Sequence, residues 1–213
     1  MQSSSTPISI DDFEKLQKEG VLVIDSRPTP EIRKGFILGS YPIPNGQPFT
    51  TKWIDGIIKN KDTPIVLVAN PGQEEEIVST IKNLGYTDVR GHLEGGFDAW
   101  KKAGKPVHEH KGISVQDFVG KLDQGAKVLD VRTKEEQDQG ILNNAQMIFF
   151  MDIPERYKEV PKDQPVYVHC KLGARALFAY AVLQANGHEN VVDILGGFAD
   201  IEAAGAKLTP PGK

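Results

Sequence analysis

The stretch PVYVHCKLGARALFAYAVLQANG, residues 165–187, decides the fold. Its first five residues form a short, β-rich apolar run that is typical of a buried strand. From Ala174 onward, apolar residues recur at the i, i+3 and i+4 positions of a helix, and Gly187 marks the stop. A strand that enters a helix through a short glycine-containing loop predicts one unit of an α/β sheet.

The sequence around this stretch occurs twice, in the same order and with few gaps. The matched segments are 8–20 with 113–125, 23–40 with 128–145, 63–74 with 164–175, and Gly95-Gly96-Phe97 with Gly196-Gly197-Phe198. The segment KPVHEHK between the copies is polar, contains a proline and has no periodicity. The repeat therefore predicts two domains, 7–105 and 112–209, joined by this linker.

Strand-like and helix-like segments alternate within each copy. The runs VLVID and PIVLV in the first copy match AKVLD and PVYVH in the second. Strands that alternate with helices predict an open parallel sheet with helices on both faces. In such sheets, sites lie at the carboxyl ends of the strands, which is where Cys170 stands.

Composition excludes several classes of function. The chain is 39% hydrophobic and 25% charged, as expected for a globular protein, and its net charge of −4 includes no basic run suited to nucleic acid. No apolar run approaches the roughly 18 residues that a membrane span needs. The first residues lack a secretory signal, which favours the cytoplasm, or the periplasm if a signal peptide preceded residue 1 and was removed.

Cys170 is the single cysteine of the chain, so it has no internal disulfide partner. The residues after it, Lys171, Leu172, Gly173, Ala174 and Arg175, open a helix, and their backbone N–H groups can surround the sulfur. The helix dipole and the two cations favour a thiolate, which is a nucleophile. A lone cysteine can also be a small core residue, but this loop favours the nucleophile.

Four motifs of the second copy together resemble the rhodanese family of sulfurtransferases. They are DVR-x3-E (130–136), GILNNA (140–145), HC-x2-G-x-R (169–175) and LGGF (195–198). The resemblance implies a five-stranded parallel sheet in each domain and a Cys170 that carries sulfane sulfur as a persulfide. It implies a small anionic donor such as thiosulfate or a polysulfide, a thiol, protein-cysteine or cyanide acceptor, and no cofactor or metal.

Two other functions stay open at this point. The first is a non-enzymatic persulfide carrier or sensor, or a protein-interaction module. The second is a phosphatase-like hydrolase, whose phosphate loop HC-x5-R is one residue longer than the loop from Cys170 to Arg175. A shorter loop leaves less room for three phosphate oxygens and suits one extra sulfur atom.

The residues around the loop receive supporting roles. Arg175 either binds substrate or braces the loop against Glu136, and the resemblance favours the brace. Asp130 and Arg132 are expected to pin strand ends, and His169 is expected to be structural because neighbouring strand residues point to opposite faces.

The first copy lacks this chemistry. Ala69 stands at the cysteine position and Glu74 at the arginine position. The sequence therefore predicts a non-catalytic first domain, in which Glu31 faces Glu74 where the second domain pairs Glu136 with Arg175.

Overall fold

The computed structural model of the protein describes residues 5–210, and the chain divides into two compact units between residues 110 and 111. That division falls inside the predicted linker. Each unit contains one five-stranded parallel sheet with helices around it. The predicted α/β class, with two tandem parallel sheets, is confirmed.

The first unit begins with a strand and alternates strands with helices. In chain order its elements are β1 (Pro7–Ile8), α1 (Ile10–Lys18), β2 (Leu22–Asp25), α2 (Thr29–Ile32), β3 (Ser40–Pro42), α3 (Thr50–Ile57), β4 (Ile65–Val68), α4 (Glu74–Asn83), β5 (Val89–Leu93) and α5 (Gly96–Lys102).

The second unit repeats this order with small additions. Its elements are β6 (Gly112–Ser114), α6 (Val115–Leu122), β7 (Lys127–Asp130), α7 (Lys134–Gln137), β8 (Ile141–Leu142), β9 (Ala145–Met147), α8 (Ile153–Arg156), β10 (Val166–His169), α9 (Ala174–Ala185), β11 (Val191–Leu195), α10 (Phe198–Ala203) and β12 (Leu208–Thr209). Two 3-10 turns, Phe150–Asp152 and Tyr157–Glu159, flank α8.

The two sheets have the same topology. The strand order is β1-β5-β4-β2-β3 in the first unit and β6-β11-β10-β7-β9 in the second, with parallel pairing throughout. The short antiparallel pair β8 and β12 lies outside the second sheet. The middle strands are β4 and β10, so the loops after them leave the centre of each sheet.

The first helix of each unit begins with the same cap. Ser9 Oγ accepts a hydrogen bond from the Asp12 amide at 3.2 Å, and Ser114 Oγ accepts one from the Asp117 amide at 3.1 Å. These bonds satisfy amides that have no partner inside the helix. The internal repeat is therefore structural as well as sequential.

The helix α9 lies in the core of the second unit. Every residue from Ala176 to Gln184 is buried, and a helix that is apolar on all sides is one that neighbours cover on all sides. In the first unit, Phe13, Val66 and Trp100 belong to the core beneath the sheet. Burial fixes α9 and therefore the position of the loop that precedes it.

Within the described residues, no helix is both long enough and apolar enough to cross a membrane.

Candidate active site

Cys170 stands at the carboxyl end of the middle strand of the second sheet. It follows β10, whose last residue, His169, pairs with Asp130 at the end of β7. The Gly173 amide donates a hydrogen bond to Cys170 Sγ at 3.0 Å. The cysteine is 1% exposed, so the sulfur lies under its own loop rather than on the surface.

Gly173 gives the loop its shape. Its φ of 99° lies in the left-handed region that side chains rarely adopt, and it is the residue directly before α9. This turn directs the Gly173 N–H back toward the sulfur. The positive end of the α9 dipole lies at the same place and favours negative charge on the sulfur.

Arg175 and Glu136 form a bidentate ion pair. Arg175 Nη1 donates to Glu136 Oε2 at 2.8 Å and Nη2 donates to Oε1 at 3.0 Å. The carboxylate is also held by the Thr133 amide, which donates to Oε2 at 3.0 Å as part of a capping box at the start of α7. The pair connects the start of α9 to α7 across the loop.

The charges of this pair support each other. Burial acts to raise the pKa of Glu136, but the hydrogen bonds from Arg175 and Thr133 outweigh it, and the net pKa is lowered. Burial acts to lower the pKa of Arg175, but hydrogen bonds and charges from Glu136 and Cys170 outweigh it, and the net pKa is raised. Both groups are therefore ionised at neutral pH.

The other loop residues point in different directions. Leu172 is 85% exposed, and the Lys171 side chain is 63% exposed with Nζ 3.9 Å from Glu136 Oε1. Ala174 is half-buried at the start of α9. The Lys171 ammonium group therefore lies at the surface near Glu136, whereas Leu172 extends an apolar side chain from the loop into solvent.

Asp130 and Arg132 form a buried ion pair beside the loop. Arg132 Nη2 donates to Asp130 Oδ2 at 2.7 Å and to the Gly140 carbonyl at 2.8 Å. The guanidinium lies over the Phe198 ring, 3.5 Å from its centroid. The first unit repeats this arrangement with Asp25, Arg27, Gly35 and Phe97, whose corresponding distances are 2.6, 3.0 and 3.8 Å. Because the unit without a cysteine keeps it, the arrangement belongs to the fold.

His169 is fully buried and stacks on Phe198, with ring centroids 5.5 Å apart. Within residues 5–210, neither ring nitrogen has a hydrogen-bond partner. Burial lowers the pKa of His169 to about 4, so the ring is neutral at neutral pH. A neutral, buried ring fits the structural role expected for His169.

The LGGF segment supports the cysteine loop from below. The Phe198 amide donates to the Lys171 carbonyl at 3.1 Å. A Cβ on Gly197 would lie 2.4 Å from the same carbonyl oxygen. This close approach explains why glycine stands at that position, and the motif alone did not indicate the contact.

A cavity of about 300 Å³ opens beside the loop. Lys171 and Leu172 line it from the loop, and Phe198 and Glu202 line it from α10. Arg132 lines it from the turn after β7, and Glu136 lines it from α7. The sequence did not single out Glu202, because an exposed glutamate in a short helix carries no motif.

The loop of the first unit is held differently. Glu31 accepts a hydrogen bond from the Asn70 side chain at 2.9 Å, and Glu74 Oε2 accepts one from the Gly72 amide at 2.7 Å. Each carboxylate thus has a donor of its own, in place of the ion pair that joins Glu136 to Arg175 in the second unit. Gly72 matches Gly173, so a carboxylate here takes the amide that faces sulfur in the second unit.

In the part of the chain from residue 5 to residue 210, no group of three or more His, Cys, Asp or Glu side chains is arranged to hold a metal ion.

The fold and the loop together define a class: tandem α/β domains of one topology, with a cysteine at the carboxyl end of the middle strand of the second sheet. The rhodanese-like domain family matches residues 9–103 and 114–204. Because these matches cover most of the chain, the protein belongs to the rhodanese-like domain family.

Several known proteins are similar to this chain. A sulfurtransferase from Allochromatium vinosum is 33% identical over 84 residues, which are 39% of this chain and 78% of that protein. A rhodanese-related protein from Thermoplasma volcanium, of known structure, has 26% identity and a TM-score of 0.44 over 48% of this chain and 100% of its own. A thiosulfate sulfurtransferase from Pseudomonas aeruginosa has 18% identity and a TM-score of 0.42 over 96% of this chain and 43% of its own. This chain therefore spans less than half of that last protein.

Proposed function

We propose that the second unit is a sulfurtransferase that carries sulfane sulfur on Cys170, from thiosulfate or a polysulfide to a thiol, protein-cysteine or cyanide acceptor. The observation that carries the proposal is the Gly173 N–H···Sγ bond of 3.0 Å at the start of α9. A donor aimed at the sulfur stabilises the charge of a thiolate and, after the first step, of a persulfide.

The first step is attack by the Cys170 thiolate on the outer sulfur of the donor. With thiosulfate, the new bond joins Sγ to the outer sulfur, the sulfur–sulfur bond of the donor breaks, and its electron pair leaves with sulfite. The Lys171 side chain is 63% exposed, and its Nζ lies 3.9 Å from the nearest Glu136 oxygen. Its ammonium group can therefore pair with the anionic donor. The product is the Cys170 persulfide anion.

The second step is transfer to the acceptor. The acceptor nucleophile attacks the terminal sulfur, the bond from that sulfur to Sγ breaks, and the electron pair returns to Cys170 as thiolate. No external oxidant is needed, and the two half-reactions give ping-pong kinetics. The loop positions the sulfur for both steps.

Arg175 serves this site as a positioning residue. Its guanidinium is held by both oxygens of Glu136, which leaves it poorly placed to bind a donor bidentately. The ion pair supports the view that Arg175 braces the loop and adds positive charge near the sulfur. Asp130 and Arg132 hold the strand end below it.

The shape of the loop argues against a phosphatase. The Leu172 side chain points to solvent, and the Gly173 amide donates to a sulfur that is itself buried under the loop. A phosphate would require several amides around three oxygens above the sulfur. This arrangement favours a single added sulfur atom.

The test is intact-protein mass spectrometry after incubation with thiosulfate. We expect the protein to gain the mass of one sulfur atom and to lose it again with cyanide or dithiothreitol. The matched control is Cys170→Ser, which leaves the chain without a thiol. The same removable gain in Cys170→Ser would overturn the assignment of the nucleophile.

Steady-state assays distinguish a sulfurtransferase from the two alternative functions, a persulfide carrier or sensor and a phosphatase. Repeated turnover of thiosulfate and cyanide to sulfite and thiocyanate is expected. Persulfide formation without turnover would favour the carrier or sensor. Hydrolysis of a generic aryl phosphate that Cys170→Ser abolishes would favour the phosphatase.

A further inference from the structure

The cavity beside the Cys170 loop contains carboxylates as well as cations. Lys171 and Arg132 contribute positive charge to its lining, and Glu136 and Glu202 contribute negative charge. A site for anions alone has no use for a carboxylate in its wall, because an acidic side chain repels an anionic donor. Any carboxylate of the lining that has no partner in the protein is therefore open to a cationic ligand.

Three of these four charges are already matched. Arg132 is paired with Asp130, and Glu136 is held by Arg175 at two points. Lys171 lies near Glu136, at 3.9 Å between Nζ and Oε1. Their charges are thus largely balanced without a ligand.

Glu202 differs from the other three. It is exposed near the end of α10, and within residues 5–210 its carboxylate makes no hydrogen bond or ion pair. It is therefore the carboxylate of this cavity that remains available to a positively charged group.

The fold does not require an acid at this position. In the first unit the matching residue is Lys101, whose Nζ lies 5.4 Å from the centre of the Phe97 ring. The loop beside it has the reversed charge as well, since Glu74 replaces Arg175. Lys101 also pairs with Asp98 at 3.0 Å, whereas Ala199 stands at the matching position of the second unit and leaves Glu202 without such a partner.

We infer that the acceptor of this site is a small aminothiol, whose ammonium group pairs with Glu202 while its sulfur reaches the persulfide on Cys170. The inference rests on the proposed function and names its acceptor class. Leu172, which lines the same cavity, offers an apolar surface beside the short carbon chain between the two groups. Glu202 acts as a specificity-determining residue.

The transfer step is balanced without a further reactant. The thiolate of the aminothiol attacks the terminal sulfur of the persulfide, and a new sulfur–sulfur bond forms. The bond from that sulfur to Sγ breaks, and its electron pair returns to Cys170. The ammonium group takes no part in bond making and only orients the acceptor.

The experiment compares three thiols of similar size and different charge on persulfidated, full-length protein. Cysteamine is cationic, 2-mercaptoethanol is neutral and mercaptoacetate is anionic. The protein is loaded with thiosulfate or polysulfide, desalted and mixed with each thiol, and loss of the persulfide is followed by intact mass. Dividing the rate constant of the unmodified sequence by that of Glu202→Gln cancels the intrinsic reactivity of each thiol.

The expected ratio is about two- to fivefold for cysteamine, about one for 2-mercaptoethanol and below one for mercaptoacetate, the range expected of an exposed ion pair. The cysteamine ratio should approach one at about 1 M salt, because screening is then nearly complete. When each rate constant is divided by that of the unmodified sequence, Glu202→Lys should lose its persulfide faster with mercaptoacetate than with cysteamine.

The control is Glu189→Gln, which removes the same charge from an exposed glutamate just before β11, at the opposite end of the strands. It should leave all three rates unchanged. Equal ratios for the three thiols with Glu202→Gln would overturn the inference and leave the proposed function intact. Failure of both donors to load Cys170 would overturn the proposed function and the inference with it.

Discussion

The Gly72 amide donates a hydrogen bond to Glu74 Oε2 at 2.7 Å, at the position where Gly173 donates to the sulfur of Cys170 at 3.0 Å in the second unit. The residue that replaces the arginine of the second unit thus occupies the amide that would face a sulfur. In the first loop this amide is therefore already paired with a carboxylate. The first unit therefore differs from the second in the hydrogen bonding of its loop as well as in the absence of the cysteine.

This relationship predicts that Ala69→Cys does not create a second working site. In the double variant Ala69→Cys, Cys170→Ser, turnover of thiosulfate and cyanide should be lower than that of the unmodified protein by about 100-fold or more, the loss typical when an oxyanion donor is removed. Pro71 also removes an amide from this loop.

Adding Glu74→Gln to the double variant removes the negative charge that competes for Gly72. It should raise the alkylation rate of the thiol introduced at position 69 above the rate measured in the double variant. Turnover near that of the unmodified protein before this third change would show that the first loop is a competent site as it stands.

The Arg175–Glu136 pair predicts a loss of activity in Arg175→Lys. Lysine keeps the charge but cannot make the two parallel hydrogen bonds to the carboxylate. Turnover should fall about tenfold or more, with rate constants for persulfide formation falling in proportion, because the loop is no longer braced from α7.

The matched control for Arg175→Lys is Arg156→Lys. Arg156 also forms a bidentate pair, with Glu159 at 2.7 Å on both nitrogens, but on an exposed surface. This change should leave turnover unaffected. Equal losses in the two variants would mean that the Arg175 pair has no special connection with the cysteine loop.

The close approach of Gly197 to the Lys171 carbonyl predicts that Gly197→Ala displaces the loop. The added Cβ would lie 2.4 Å from the carbonyl oxygen, although the backbone at Gly197 is in an ordinary extended conformation. Persulfide formation should slow by up to about 100-fold, since small misplacements of reacting groups have effects of this size.

Gly120→Ala is the control for that change. Gly120 lies inside α6 with no atom within 4 Å of the added Cβ. The substitution should leave sulfur transfer unchanged and raise the free energy of unfolding by up to about 1 kcal/mol, since alanine is the better helix former. Unchanged sulfur transfer in Gly197→Ala as well would show that the loop tolerates the displacement.

The burial of His169 predicts acid destabilisation of the second unit. Its folded pKa of about 4 lies below the unfolded value of about 6.5. Between these values the unfolded chain binds a proton that the folded unit does not, so stability falls as pH drops from 6.5 toward 4, by at most about 1.4 kcal/mol per pH unit from this residue.

His169→Leu should reduce this slope, as measured by hydrogen exchange of the α9 amides at pH 7 and pH 5. Both tryptophans, Trp53 and Trp100, lie in the first unit, so tryptophan fluorescence monitors that unit separately and should be unaffected by the substitution. An unchanged slope for α9 would show that His169 does not titrate in this range.

Local signals in the sequence were sufficient for the α/β class and for the main strands and helix around the cysteine. Short apolar runs predicted buried strands, and β4 and β10 are buried strands. The apolar periodicity and terminal glycine after residue 174 predicted the helix that the structure places at Ala174–Ala185. The T-x-x-E pattern at Thr133–Glu136, a capping-box signature, could also have been read from the sequence, because its hydrogen bonds join residues three positions apart.

Contacts between distant segments were harder to anticipate. The match of Glu31 with Glu136 suggested a clash with Glu74, but Asn70 and Gly72 supply a separate donor to each carboxylate. The reason is geometric: which donor a carboxylate finds depends on rotamers and on nearby amides, which a linear pattern does not contain.

By itself, the sequence determined that the chain is a repeated α/β unit with its one thiol at the carboxyl end of a buried strand, because periodicity, the repeat and loop chemistry are local properties. The tertiary structure decided the rest. It brought Glu202 from α10 into the cavity of the Cys170 loop, placed Gly197 under Lys171, and joined Glu136 to Arg175. These relations depend on how helices pack around the sheet, so they exist only when segments far apart in the chain are folded together.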